Sequence, residues 1–206
     1  MSSVGLLYVG AVLLINGLML LGRIPPRSAA VFNLFVGALQ CVIPTAMLLQ
    51  ANGDAATTLS ASGLYLFGFT YLYVGIVNLA GLEPQGVGWF SLFVAMAAVA
   101  YAVLSFSSHD PVFGVIWLSW AALWTLFFLV LGLGREDLNR FTGWSVTLLS
   151  IPTCSIPAFL MLTGHYRSSA LTAVATAVLL AALLVVARLL SSPGRVSGVR
   201  ARPVYN

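Results

Sequence analysis

The run Pro111-Val112-Phe113-Gly114-Val115-Ile116-Trp117-Leu118-Ser119-Trp120-Ala121-Ala122-Leu123-Trp124-Thr125-Leu126-Phe127-Phe128-Leu129-Val130-Leu131-Gly132-Leu133-Gly134 contains no charged residue. A helix needs about 20 apolar residues to cross the hydrocarbon of a bilayer, so this run predicts a membrane span. Trp117, Trp120 and Trp124 stand at i, i+3 and i+7, which sets three indoles on one helix face. Tryptophan in membrane helices normally gathers at the headgroup level, where its N–H stays wet. Three at mid-depth on one stripe suggest instead the wall of a path for something flat.

The flanking sequence repeats the texture. Of the 206 residues, 60% are apolar and 7% charged, with mean hydropathy +1.02; a soluble domain carries roughly a quarter charged residues. This is the composition of an integral membrane protein. Candidate spans cover 4–22, 30–50, 61–82, 86–107, 111–134, 141–164 and 168–190, separated by short polar breaks such as Gly22-Arg23-Ile24-Pro25-Pro26-Arg27 and Gly134-Arg135-Glu136-Asp137. The first of them has no basic n-region and no small-residue cleavage signal, and reads as a retained span. Breaks this short predict antiparallel neighbours in one bundle.

Arginine placement orients the chain, since every basic residue other than histidine is an arginine. With the N-terminus outside, Arg23, Arg27, Arg135, Arg140, Arg188, Arg195, Arg200 and Arg202 fall inside and Arg167 outside. That bias satisfies the positive-inside rule only if the seventh run crosses. The expected architecture is an all-α integral membrane protein, N-out and C-in. It comprises a six-helix core over 1–165, an additional transmembrane helix over 166–190 and a disordered cytoplasmic tail over 191–206. The seventh run is rich in Ala, Leu and Val and lacks aromatics and proline, as a peripheral, lipid-facing helix would.

Absent residues narrow the function. No Asp, Glu, Lys or Arg occupies the middle of a span. Ion-coupled transporters and proton pumps keep such groups at depth, so passive passage of a neutral solute is favoured over coupled transport. A retinal protein is excluded because there is no lysine for its Schiff base. His109 and His165 sit at span edges, no cluster has metal-ligand spacing, and no span offers a histidine as a base; neither an enzyme nor a cofactor is expected. Arginines confined to span ends and tail do not suggest nucleic-acid binding. Cys41 and Cys154 lie within apolar runs and read as small buried hydrophobes.

Candidate lining residues accompany the tryptophans. Phe69 and Tyr73 in span three are i, i+4 neighbours. Leu6, Leu13 and Asn16 form a stripe on span one, and a carboxamide at that depth needs a partner. In span six Pro152 and Pro157 each remove an N–H and free the carbonyls of Leu148 and Thr153. Each feature has an ordinary structural explanation: packing, an interhelical hydrogen bond, a kink. Together they describe a narrow, weakly polar, uncharged slot.

The segments Leu6-Leu7-Tyr8-Val9-Gly10 with Asn16-Gly17, Leu66 to Tyr73, Trp89-Phe90-Ser91-Leu92-Phe93-Val94-Ala95, Ile116 to Trp124 and Ile156-Pro157-Ala158 resemble the AmiS/UreI family of bacterial urea and short-chain amide channels, over roughly residues 1–165. The resemblance implies a six-helix protomer with its own pore, a homohexamer around a central lipid plug, and residence in the bacterial cytoplasmic membrane. It implies a pore wall of Leu6, Leu13, Asn16, Phe69, Tyr73, Trp117, Trp120, Leu123 and Trp124. Acid-gated members carry a longer, histidine-containing outer loop; here Ala51 to Ala61 holds no histidine, so proton gating is not expected. Where some members place a glutamate in span six this chain has Leu149, which points to a permeant with an apolar end. Acetamide-like solutes, with urea also permeant, are the expected cargo. An ion-coupled amide transporter, an acid-independent urea-selective channel and a non-transporting scaffold stand as alternatives.

Overall fold

The computed structural model describes residues 2–192. Its helices are α1 (Ser2–Leu20), α2 (Pro26–Gln50), α3 (Ala55–Ala80), α4 (Gln85–Ser107), α5 (Pro111–Phe127), α6 (Asn139–Ser150), α7 (Ile156–Leu162) and α8 (Ala170–Ser191), with no strand among the described residues. Seven stretches are long and apolar enough to cross a membrane. The protein is all-α and multi-pass. Ser191 belongs to α8, and the rest of the expected disordered tail, from residue 193, lies outside the described residues.

Two crossings depart from regular α geometry. α5 continues through a π-turn, Phe128–Gly132, closed by the Leu133 N–H donating to the Phe128 carbonyl at 3.1 Å. The sixth crossing, Glu136–Leu162, joins α6 to α7 through a second π-turn, Ile151–Ser155. Pro152 stands inside that turn and Pro157 is the second residue of α7, two past the turn's end. Neither can donate to the carbonyl four residues back, so the ladder widens there rather than continuing.

Lipid gives helices no hydrophobic reason to associate, so close packing across small residues carries the bundle. α2 and α3 form a tight hairpin: a Cβ on Gly37 would lie 2.6 Å from the Leu72 amide nitrogen and 3.0 Å from the Gly68 carbonyl. α1 meets α6 as closely, with a Cβ on Gly17 landing 2.7 Å from the Thr147 nitrogen. α4 and α5 make the second hairpin. α3 and α4 are joined by a connection just as short, yet touch far less. The space between them is occupied by the cavities described below.

α8 is the peripheral element. Only 17% of its spanning window is buried, against at least 33% for every other span. Its buried residues, Ala173, Leu180 and Ala187, recur every seventh position and form a single seam against α5 and α6. At the outer end the Tyr166 hydroxyl donates to Asp110 Oδ1 (2.7 Å), which also caps α5 through the Phe113 N–H (3.2 Å). Burial first, and then that hydrogen bond, push the Tyr166 phenol above its ordinary pKa. At the other end Arg188 lies over the Phe141 ring (5.9 Å) and Arg140 donates to the Leu190 carbonyl (3.4 Å). Arg140 and Arg188 therefore share one side of the bundle, as the orientation from arginine placement requires.

Candidate functional site: two cavities and an aromatic barrier

The space inside the protomer is divided in two. An outer cavity of about 500 Å³ is lined from α1, α2, α3, α4 and α5, with Met161 of α7, and opens among Ser3, Ser60, Ser107 and Ser108 at the helix ends. An inner cavity of about 70 Å³ lies between α1, α3, α4 and α5. Roughly 10–15 Å³ on this measure admits one water, so even the smaller could hold a compact solute. Phe67 and Trp120 line both cavities and separate them.

That barrier is an aromatic cluster. The Phe67 ring meets Trp120 edge-on at 5.0 Å and 82°, Trp124 at 4.9 Å and 57°, and Trp117 at 5.8 Å and 48°. Trp117 stacks on Tyr101 at 4.7 Å and 19°, and Trp117 and Trp120 are T-shaped at 4.9 Å. The tryptophan stripe is thus read on one face by a single phenylalanine from α3. The slot expected from the sequence narrows at this point, with Phe67 and Trp120 between its two wider parts.

The expected site residues divide. Leu6 and Trp117 line the outer cavity, Trp120 both, and Leu13, Asn16, Leu123 and Trp124 the inner. Phe69 and Tyr73 lie outside both and turn outward, 53% and 38% exposed. That placement has a simple geometric cause. The lining face of α3 carries Phe67, Thr70, Tyr71 and Val74, and a residue two positions along a helix points about 200° away. The helix contains three aromatic i, i+4 pairs, 65/69, 67/71 and 69/73, and the inward one is 67/71. Leu149 is fully buried but touches neither cavity; it sits in the core, its carbonyl accepting the Thr153 hydroxyl at 2.7 Å.

Thr153 in turn accepts the Trp120 indole N–H at 3.1 Å, so the π-turn of the sixth crossing fixes one half of the barrier. Asn16 exchanges two hydrogen bonds with Asn33 of α2, at 2.9 and 2.7 Å, and Asn33 also donates to the Ala29 carbonyl. Thr70 and Ser91 donate to the Leu66 and Val87 carbonyls of their own helices, and Asn78 Nδ2 donates to Met19 Sδ at 3.4 Å. Two residues that line the cavities each carry a buried side-chain atom with no partner among the described residues: the hydroxyl of Tyr71, at the inner cavity, and Oε1 of Gln40, at the outer. No Asp, Glu, Lys, Arg or His lines either cavity. Asn33 and Gln40 carry the same signal that singled out Asn16, a carboxamide in an apolar run, and Phe67 and Tyr71 have the spacing that singled out Phe69 and Tyr73.

Comparison with known proteins sets this geometry in context. A family model described as AmiS/UreI family transporter matches residues 1–165. A Rhodococcus erythropolis protein named as the transporter AmiS2 is 67% identical over the whole of both chains. A Mycolicibacterium smegmatis protein named as an amidate substrates transporter is 52% identical, over 91% of this chain and 88% of its own. The acid-activated urea channel of Helicobacter pylori is 34% identical. Its crystal structure matches with a TM-score of 0.74 over 81% of this chain and 100% of that one.

Proposed function

The chain belongs to the AmiS/UreI family, and from that we propose that it is a passive channel for small neutral amides, acetamide-like solutes and urea, with a pore inside each protomer and no proton gate. The observation that carries this reading is the pair of uncharged cavities meeting at Phe67 and Trp120. The higher identity to a relative named for amidate substrates than to one named for urea supports amides as the preferred cargo. The absence of histidine from Ala51 to Ala61 supports acid independence.

A planar amide leaving water gives up hydrogen bonds worth several kcal/mol. In the outer cavity it passes Leu6 and lies against the faces of Trp117 and Trp120, each ring contact returning about 0.5–1.5 kcal/mol. Phe67 must then rotate aside. Beyond it the Tyr71 hydroxyl offers a hydrogen bond, while Leu13, Leu123 and Trp124 keep the passage too narrow and apolar for a hydrated ion. No single contact is strong, which lets the solute leave.

Around this pore we place a homohexamer with a central lipid plug in the bacterial cytoplasmic membrane. Phe35, Val42 and Leu49 of α2 and Phe69 and Ile76 of α3 are exposed apolar side chains that neighbouring protomers or lipid would cover.

Stopped-flow permeability of reconstituted protein tests the reading. Phe67→Ala joins the cavities and is expected to raise glycerol permeability at least tenfold, eroding size selection. Tyr71→Phe, which keeps the ring, is expected to slow urea and acetamide about two- to tenfold, the worth of one neutral hydrogen bond. Unchanged fluxes in both variants would place the filter elsewhere.

A further inference from the structure

Gln40 is 1% exposed, about 15 Å below the outer end of α2, and lines the outer cavity together with Leu6, Val9, Phe67, Trp117 and Trp120. A carboxamide held among such neighbours loses its water, and its Oε1 has no partner among the described residues. Leaving a buried polar group unpaired is costly, more so in a membrane. The backbone has also made room for it. Gly5 of α1 faces the side chain, and a Cβ there would lie 2.6 Å from Oε1 and 3.2 Å from Cδ.

The same bundle shows what satisfies a buried carboxamide. Asn16 and Asn33 pair edge to edge, each donating to the other. Gln40 has no such protein partner, yet it stands at the threshold of the barrier, where a permeant sheds its last water. A primary amide and urea both present a carbonyl beside an N–H, the edge that Asn33 presents to Asn16. We propose that the Gln40 carboxamide, when it turns from its place against Gly5 toward the outer cavity, is an amide-recognition subsite, pairing edge to edge with the permeant on the outer side of Phe67 and Trp120. The inference rests on the amide-channel reading. It adds a chemical filter to a steric one: the subsite makes two hydrogen bonds with a solute that has an N–H next to a carbonyl and one with a solute that has the carbonyl alone.

N-methylation removes that N–H stepwise, so the test compares acetamide with N,N-dimethylacetamide in proteoliposomes of the full chain. Gln40→Met keeps the length and removes both hydrogen-bonding ends. It is expected to lower the permeability of acetamide and urea relative to N,N-dimethylacetamide about fivefold, the worth of the one neutral hydrogen bond that the dimethyl amide, keeping only its carbonyl, does not make. Gly5→Ala displaces the carboxamide without removing it and is expected to shift the same ratio in the same direction, by less. This second variant decides the matter if Gln40→Met does not assemble. A wild-type protein that conducts acetamide no faster than empty liposomes overturns the channel reading and the subsite with it. A conducting wild type whose acetamide-to-dimethylacetamide ratio is unmoved by either variant overturns the subsite alone. An equal fall for both solutes does so too, because it marks Gln40 as a packing residue.

Discussion

Asn16 and Asn33 are the residues whose pairing the sequence could announce only by half. A carboxamide at depth demands a partner, and Asn16 was legible for that reason; which helix supplies the partner depends on how α1 crosses α2, and periodicity along one chain does not contain that angle. The same limit explains Phe67. The aromatic i, i+4 pairs of α3 are indistinguishable by spacing, and only the face that α3 turns toward α5 selects Phe67 and Tyr71. The tryptophan stripe was fully legible because a single helix defines it. For the Asn pair, Asn16→Leu or Asn33→Leu alone strands one buried carboxamide and is expected to destabilise the protein by about 1–3 kcal/mol. The double variant removes both polar groups and is expected to lose clearly less than the sum. Thermal unfolding in detergent measures the cycle; strict additivity would mean that the two side chains do not depend on each other.

Boundaries of whole elements follow capping chemistry more than hydropathy. The third span, expected from residue 61, begins at Ala55, because Asp54 caps it: its carboxylate accepts the Thr57 N–H at 2.7 Å, and Thr58 bonds back to its carbonyl. The Ala-Thr-Thr-Leu-Ser stretch is polar enough to pass for a loop, but a capped end makes it the first turns of a helix. α2 likewise starts at Pro26, earlier than the apolar run suggests, because proline fits the first turn of a helix. The π-turns were not legible as such; the prolines of span six signalled a break without fixing its geometry, and Phe128–Gly132 contains none. The cap of α3 carries a pH dependence. Hydrogen bonds from Thr57 hold the Asp54 carboxyl below its ordinary pKa. A carboxyl lowered in the folded state stabilises above its unfolded pKa, near 3.9, and that contribution disappears as pH falls through the folded value. Asp54→Ala is therefore expected to lower Tm and speed amide exchange at Thr57 and Thr58 at neutral pH. The difference from wild type is expected to close below about pH 4; a gap that persists in acid would show that the charge is not what caps the helix.

Across the whole molecule, what matters is where charge is missing. The formal net charge is +4, yet no charged side chain lines either cavity, while Arg140 and Arg188 sit together at one end of the bundle. Coupled transport needs a group inside the membrane that binds an ion in one state and releases it in another. The polar lining here is neutral, and most of it is already spent: Asn16 on Asn33, Thr70 and Ser91 on their own helices. On the passive reading proposed above, an imposed proton or sodium gradient finds no charged side chain along the two cavities to act on. Amide flux is therefore expected to follow the solute gradient alone, unchanged to within about twofold when a pH or sodium gradient is set across the proteoliposome and then reversed. The rate is likewise expected to be flat between pH 5 and 8, because neither lining contains a carboxylate or imidazole to change charge there. Flux driven uphill by either gradient would contradict passive passage, and a steep rise in acid would mean that a group outside the two cavities, such as His109 or His165 at the outer ends, controls the opening of the Phe67 barrier.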